Sequence, residues 1–345
     1  MTDPLAVLAR LYAGTPGLVR RAGTTYPVAV RRLPRARVVL DDRPRMVDAA
    51  LAAGGRAFLD RVRAGGRVHD GAVLCLDRVE EPGLEGGPGA VVRVVPGGYF
   101  DMLATCDAVR DELVPAAPAS DDGPHGGLHD GPDDGSTSDP AADSFADLPL
   151  RRRAHEVAGD PTTSGAGRAA AFGVSVLLVV GTEAADGDAG STGVVLGLRS
   201  ARVGTDPGRW HVAPSGMLEP AADGRHLATT VATELREELG VHRTVDEVDA
   251  SLQVLGLLTD LTRLRPDVVV LLDLAAAGSR PTAAELTAGE EFDTLEVVPT
   301  TPTRLADLWT RRPPVLLTAA ACGALALLEE HLAGTGGSPA APGVS

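Results

Sequence analysis

The chain has 345 residues, of which 44% are hydrophobic, so it can build one large domain or two of ordinary size. Its 47 acidic residues outnumber its 32 basic residues and give a formal net charge of -15 at pH 7. Because this field repels polyanions and no dense basic run offsets it, we do not expect a nucleic-acid partner.

The residue types that the sequence lacks exclude further classes of protein. It contains neither lysine nor asparagine, so a phosphate-binding loop of the GxxxxGK[ST] type is excluded. Its three cysteines form no CxxC pair, which favours a reducing compartment over a disulfide framework or a thiolate zinc site. No signal-peptide core is recognisable, and no uncharged apolar run reaches the roughly 18 residues that span a bilayer. We therefore expect a soluble, cytoplasmic protein without membrane contact.

Residues 1–114 are predicted to form a small α/β segment. Valine-rich stretches at 26–40, 71–79 and 90–95 have strand character. Residues 45–64 have helical spacing, although two adjacent glycines weaken it, and residues 99–113 predict a helix or a turn followed by a helix.

Residues 115–147 change character sharply. They are rich in Pro, Gly, Asp and Ser and cannot bury enough surface to offset their ordering entropy, so we predict a disordered acidic linker. His125 and His129 lie in it, and solvated linker histidines explain this pair better than a metal site does. Residues 335–345 are predicted to be a frayed tail.

Residues 148–334 are predicted to form a second ordered unit. A helix is expected over about 227–239, ended by Gly240 in the C-cap position. Strands are expected around it, the first two joined by a hairpin-like loop at 183–191, and a long helix is expected at 315–333. The predicted strands are 172–181, 192–200, 209–220, 251–263, 266–276 and 290–299, of which 209–220 is a strand that ends in a Pro/Gly turn.

The helix at 227–239 carries Glu234, Glu237 and Glu238, a spacing that places three carboxylates on adjoining parts of one helix surface. On a helical wheel Glu238 lies at the edge of the apolar stripe, and Arg236 points elsewhere. A solvated acidic face is the simplest interpretation of this spacing alone. An unpaired carboxylate at an apolar edge is costly, however, and a divalent cation with oxygen ligands would relieve the repulsion.

This segment resembles a Nudix box, G-x5-E-x7-R-E-U-x-E-E-x-G-U, where U is aliphatic. Glu234 matches the glutamate of the R-E pair, Glu237 and Glu238 match the E-E pair, and Gly240 begins the closing G-U pair. Gly216 matches the opening glycine. The resemblance covers about residues 165–333. It implies an α/β (α+β) fold with a mixed sheet sandwiched between helices, here preceded by the smaller α/β N-terminal segment.

The chain departs from the box pattern in its first half. Thr233 stands where the family has an arginine, and the interval from Gly216 to Glu238 is three residues longer than usual. Whether the motif is aligned forwards from Gly216 or backwards from Thr233, no acidic residue falls on the first glutamate of the box. The nearest acidic substitutes are Glu219 and Asp223. These departures place the activity in question.

A widened box behind an N-terminal extension is similar to a narrower group, which splits UDP-sugars such as UDP-glucose into UMP and a sugar phosphate. Residues 99–107 resemble the segment that precedes the box in that group, although Cys106 stands where an asparagine is usual.

The resemblance implies a hydrolase, a pyrophosphatase that uses Mg²⁺ or Mn²⁺ and acts on a small nucleoside diphosphate derivative. It implies metal ligation by Glu234, Glu237 and Glu238 together with the Gly216 carbonyl, with these glutamates and Glu291 as the catalytic set. The general base would be Glu234, or Glu290 or Glu291 of the GEEF segment, which could equally be a solvated loop. Two alternatives are a Nudix-like nucleotide sensor without activity and an interaction module with an acidic helix. Trp210 could stack on a base, although a core position is the more common role.

Overall fold

The computed structural model describes residues 4–66, 68–81, 89–113, 145–182, 192–278 and 280–335. The loop predicted at 183–191, both histidines of the predicted linker and all but the last three residues of that linker lie outside these ranges. All but the first residue of the predicted tail lies outside them as well, because the last helix extends to Thr335.

A large mixed sheet forms the centre of the molecule and confirms the α/β class. Its strands are β1 (Leu18–Arg21), β2 (Thr24–Arg32), β6 (Gly173–Gly181), β7 (Thr192–Arg199), β8 (Trp210–Val212), β9 (Ser215–Met217), β10 (Leu252–Asp260), β11 (Arg265–Leu272) and β12 (Phe292–Pro299). They follow the order β1-β2-β10-β11-β6-β7-β12, with β8 beside β7 and β9 beside β6. The β11–β6 pair is parallel, whereas the other pairs are antiparallel.

Helices cover both faces of this sheet, as the predicted sandwich requires. Side chains alternate along β6, so Val176 packs on one face with Leu235 of α7 (His226–Leu239). Leu177 packs on the other face with Leu325 of α10 (Ala319–Thr335). The burial of apolar area on both sides stabilises the central strands, which are valine-rich and almost fully buried.

A second, smaller sheet has the order β3-β5-β4 and comprises β3 (Arg37–Leu40), β4 (Ala72–Glu80) and β5 (Val91–Gly98). The helix predicted at 45–64 is two helices, α2 (Ala49–Gly54) and α3 (Arg56–Ala64), which meet at Gly55. A Cβ at Gly55 would clash with the Ala104 carbonyl group, so the junction needs glycine where it passes close to the backbone of residue 104.

The N-terminal segment shares the large sheet with the rest of the chain, a point that the sequence left open. Strand β2 pairs antiparallel with β10, and the Leu74 N–H donates to the Leu218 carbonyl at 2.8 Å. Buried Arg151 adds a tie by donating to the Tyr12 hydroxyl of the N-terminal segment at 3.0 Å and to the Thr262 carbonyl at 2.9 Å. The division of the chain at 114 and 148 stays a prediction, while the main sheet runs across it.

Several elements differ from the prediction. The strand predicted at 26–40 breaks between β2 and β3 before Pro34, since proline has no N–H for a ladder. Residues 209–220, predicted as a strand that ends in a Pro/Gly turn, form β8 before Pro214 and a second short strand, β9, after it. The remaining helices are α1 (Pro4–Leu11), α4 (Tyr99–Met102), α5 (Ala108–Asp111), α6 (Pro149–Ala158), α8 (Val245–Ser251) and α9 (Pro302–Arg311); a π-helical turn, Leu103–Asp107, joins α4 to α5.

Within the described ranges, no helix combines the length and the apolar character that crossing a membrane would require.

Candidate functional site

The candidate site lies where strand β9 meets helix α7. The helix ends at Gly240, which adopts the left-handed conformation (φ 68°) and donates its N–H to the Arg236 carbonyl, so the predicted C-cap is confirmed. Gly216 of β9 lies directly under Glu234, because a Cβ there would come within 2.6 Å of the Glu234 carboxyl carbon. The absence of a side chain at Gly216 therefore makes room for this carboxylate.

Glu238 is the most unusual side chain of the site. It is only 3% exposed, as its place beside the apolar stripe predicted. Its Oε2 accepts a hydrogen bond from the Ser215 N–H at 2.9 Å, whereas its buried Oε1 has no hydrogen-bond partner. Burial raises the pKa of Glu238 well above its ordinary value, the charges of Glu234 and Glu291 raise it further, and the Ser215 bond and Arg199 oppose the shift.

Glu234 shares this acidic environment. Its pKa is raised to about 7, first by burial and then by the charges of Glu291, Glu237 and Glu219. The structure thereby distinguishes the two substitutes for the missing first glutamate of the box. Glu219 is close enough to act on Glu234, whereas Asp223 forms an ion pair of 2.8 Å with Arg225.

Glu237 lies at the periphery of the site. Its side chain is 60% exposed and accepts a hydrogen bond from Arg236 at 2.9 Å, so Arg236 neutralises this carboxylate and leaves the buried ones unpaired. Thr233, the residue in place of the box arginine, lines a separate surface depression of about 420 Å³ together with Arg236 and Arg243.

The GEEF segment is held against the end of α7. The Gly289 N–H donates to the Glu238 carbonyl at 2.8 Å, and a Cβ at Gly289 would come within 3.0 Å of the Glu238 Cα. This close approach brings Glu291 near enough to raise the pKa of both Glu234 and Glu238. Glu290 makes its contact through the backbone, where its carbonyl accepts from Arg202 at 3.5 Å.

Two groups of the site were not anticipated from the sequence. Arg199 at the end of β7 reaches Glu291, with 3.4 Å between Arg199 Nη2 and Glu291 Oε2. The Ser215 N–H donates a hydrogen bond to Glu238. An arginine that ends an apolar strand, as Arg199 does, is a weak signal that could have identified it.

Trp210 packs against the hydrophobic core between the large sheet and α10. The Arg312 guanidinium carbon lies 4.1 Å from the centroid of the Trp210 ring. A base stacked on that ring face would have to displace Arg312.

The donor set fits a hard divalent cation that is shared with a substrate. Among the residues that the structure describes, no three His, Cys, Asp or Glu side chains form a ready-made metal cage. Mg²⁺ usually retains several waters and binds through one or two carboxylates plus substrate phosphates, so half-buried Glu234 and buried Glu238 suffice for such a site. The unpaired Glu238 Oε1 is the atom that such a cation would satisfy.

Comparison with known proteins gave structural likenesses alone, since neither a protein-family model nor a curated protein matches the chain. It superposes on a MutT/nudix family protein from Enterococcus faecalis with a TM-score of 0.26 and 17% identity, covering 37% of this chain and 43%, less than half, of that protein. A C. elegans Ap4A hydrolase in a binary complex gives a TM-score of 0.31 and 15% identity, with 48% of this chain and 98% of that one covered. A MutT protein from Methanosarcina mazei Go1 gives a TM-score of 0.30 and 17% identity, with 47% of this chain and 94% of that one covered. At such TM-scores these likenesses decide neither the fold nor the activity of this chain.

Proposed function

We propose that the chain is a Nudix-type hydrolase that cleaves a nucleoside diphosphate-linked substrate with the help of a divalent metal ion. The observation that carries this proposal is the unpaired Oε1 of Glu238, buried beside a second carboxylate, Glu234. Uncompensated buried carboxylates are costly, and a structural role gives no reason to retain them. A cation that arrives with its substrate does give such a reason.

The metal would be held by Glu234 and Glu238, with Glu237 and the Gly216 carbonyl as further ligands. When bound, Mg²⁺ or Mn²⁺ supplies the positive charge that an acidic protein needs in order to hold a diphosphate. Glu291 is our candidate for the base that accepts a proton from the attacking water, and Glu234 is the alternative. The water oxygen forms a bond to phosphorus as the bridging P–O bond breaks, which gives a mononucleotide and a second phosphate product.

For the substrate we propose a UDP-sugar, cleaved to UMP and a sugar 1-phosphate. The widened box and the resemblance of residues 99–107 to the segment before the box in that group support this choice. The π-helical turn Leu103–Asp107 falls in that stretch, and such turns occur frequently at functional sites. The three cysteines are free and buried, which supports a reducing, cytoplasmic setting.

A panel of NDP-sugars and dinucleotides, each incubated with Mg²⁺ or Mn²⁺, tests the proposal. We expect release of a mononucleotide, fastest from UDP-sugars and abolished by EDTA. Preference for another nucleoside diphosphate derivative would reject the UDP-sugar assignment alone. If no substrate yields a mononucleotide with either metal, the hydrolase proposal fails.

The second candidate function is a sensor that binds a nucleotide or nucleotide-sugar without turnover. Thr233 and the missing first glutamate favour it, because both weaken the half of the box that positions the catalytic groups. Calorimetry with the same panel separates the two functions, since tight binding without product identifies a sensor. If the chain shows neither nucleotide binding nor product formation, the remaining interpretation is an interaction module that contains the acidic helix.

A further inference from the structure

We propose that Arg199 is a positioning residue that holds the Glu291 carboxylate beside Glu234 and Glu238. This inference rests on the proposed hydrolase function, in which Glu291 is the candidate base. It assigns to strand β7 a task that the box itself cannot perform, because Thr233 replaces the box arginine and lines a different surface.

Arg199 is fixed at both ends of its guanidinium group. The side chain is only 12% exposed, its Nε donates to the Thr205 carbonyl at 2.8 Å, and its Nη2 lies 3.4 Å from Glu291 Oε2. The planar guanidinium presents its donors in a rigid fork, so a fixed Nε also fixes the direction in which Nη2 points. Glu291 is 50% exposed, and without this partner its carboxylate could rotate into solvent.

The backbone around Glu291 is held from two sides. The Ser200 N–H donates to the Glu291 carbonyl at 2.8 Å, and the Gly289 N–H donates to the Glu238 carbonyl at 2.8 Å. The loop thus joins the end of β7 to the end of α7. These backbone bonds set the position of residue 291, and Arg199 sets the direction of its side chain.

The loop that supplies the Thr205 carbonyl is itself anchored. Neighbouring Asp206 is buried, accepts a hydrogen bond from Arg263 at 2.8 Å and lies 3.1 Å from Arg110 of the N-terminal segment. Buried, charge-assisted bonds of this kind hold a loop more firmly than exposed ones do. Arg199 therefore rests on a rigid support, as a positioning residue requires.

The test compares the wild type with Arg199→Gln, Arg199→Lys, Glu291→Gln and the double variant Arg199→Gln/Glu291→Gln. Arg202→Gln is the matched control, since it removes an exposed arginine of the same loop whose guanidinium donates to the Ser200 hydroxyl and the Glu290 carbonyl. The measurements are kcat and KM on the best substrate of the panel, the Kd for Mn²⁺ alone by calorimetry, and hydrogen exchange of residues 286–292.

We expect Arg199→Gln to lower kcat by about 10- to 100-fold, which is part of the roughly 100- to 10,000-fold that general-base catalysis contributes, while KM and the Mn²⁺ Kd stay within about twofold. The double variant should be no slower than Glu291→Gln, because both changes remove the same contact. Arg199→Lys should recover part of kcat, and residues 286–292 should exchange faster in Arg199→Gln but not in Arg202→Gln.

Three results would overturn the inference. They are an unchanged kcat in Arg199→Gln, losses that add in the double variant, or an effect confined to the Mn²⁺ Kd, which would mean that Arg199 acts directly on the metal site. If Arg199→Gln does not fold, Arg199→Lys paired with Glu291→Gln gives the same cycle. A wild type that neither binds Mn²⁺ nor releases a mononucleotide refutes the proposed function instead, and hydrogen exchange still shows whether Arg199 orders the loop.

Discussion

Two groups of buried acids in this molecule differ in how their charge is balanced. The Asp206 cluster contains Asp206 and Asp260, and Arg263 donates to both, at 2.8 Å and 3.2 Å. Arg110 and the Thr262 N–H bind the remaining oxygens of these two acids. The box site contains half-buried Glu234 and buried Glu238, and the buried Oε1 of Glu238 has no hydrogen-bond partner. Paired burial at the first place indicates a structural tie, whereas unpaired burial at the second indicates a site for a ligand.

The Asp206 cluster lies between the N-terminal segment and the hairpin of β10 and β11. Arg110 follows the π-helical turn, and Arg263 lies in the turn between the two strands. Burial raises the pKa of Asp260 to about 6, Asp206 adds to the shift, and Thr262 and Arg110 oppose it. Burial therefore raises the pKa of an acid in both regions. The regions differ in whether the protein or a ligand supplies the counter-charge.

The largest expected effect comes from breaking the paired cluster. Arg263→Met would leave two buried carboxylates short of their shared partner, so we expect a loss of about 3–5 kcal/mol in the free energy of unfolding. Denaturant titration measures it, with Arg304→Met on the exposed side of α9 as the control. An unchanged midpoint would mean that the cluster is not a structural tie.

Glu238→Gln should affect the box site in the opposite sense. The amide can still accept from Ser215, but it cannot ligate a cation as well, so we expect product formation to fall at least about 100-fold. The melting temperature should stay the same or rise, because the variant removes a buried acid whose ionised form is penalised by burial and by its acidic neighbours. Glu237→Gln, at an exposed carboxylate already paired with Arg236, should cost far less activity. Unchanged turnover in Glu238→Gln would show that the box assignment is wrong.

A smaller change tests the fit beneath Glu234. Gly216→Ala would bring a methyl group within 2.6 Å of the Glu234 carboxyl carbon, so this flexible side chain must move while the backbone can stay. We expect a loss of about tenfold in kcat/KM, a size typical of a displaced catalytic group, with little loss of stability. Gly204→Ala, where nothing lies within 4 Å, is the control. Equal activity in both variants would remove Glu234 from the site.

Much of the sheet could be predicted because valine-rich strands and the apolar stripe of α7 are local signals. The four-residue β1 and the short helices α1 and α6 escaped, since so few residues carry little periodicity. Helix α9 could have been found from the helical spacing of Leu305, Leu308 and Trp309 after the Thr-Pro start at 301–302. Helix α8 could have been found from its capping box, in which Thr244 and Glu247 bond reciprocally.

The site was predictable to a similar extent. The burial of Glu238 follows from its position on one helix, so a helical wheel was enough. The contacts of Glu291 with Arg199, of Gly289 with Glu238 and of β2 with β10 join residues far apart in sequence. They depend on the tertiary fold, and no local pattern encodes them.

The smallest effect is expected at a third kind of group, a half-buried histidine that stays neutral. Burial lowers the pKa of His155 to about 4, and the charges of Arg151 and Arg168 add to this shift. His155 stacks on Phe145 and shares a hydrogen bond with the Tyr12 hydroxyl. The unfolded chain binds a proton here below about pH 6.5, whereas the folded chain does so only below about 4.

His155 therefore contributes stability that is fully present above about pH 6.5 and lost as the pH falls towards 4. His155→Gln removes the titrating group, so the free energy of unfolding should fall less steeply across this window than in the wild type. Denaturant titrations at pH 7, 5.5 and 4.5 measure the two slopes, with His242→Gln at an exposed position as the control. Parallel slopes would mean that His155 is protonated in the fold. It would then be a charged group close to two buried arginines. The presence or absence of a counter-charge would then not explain the difference between the Asp206 cluster and the box site, which would need another physical cause.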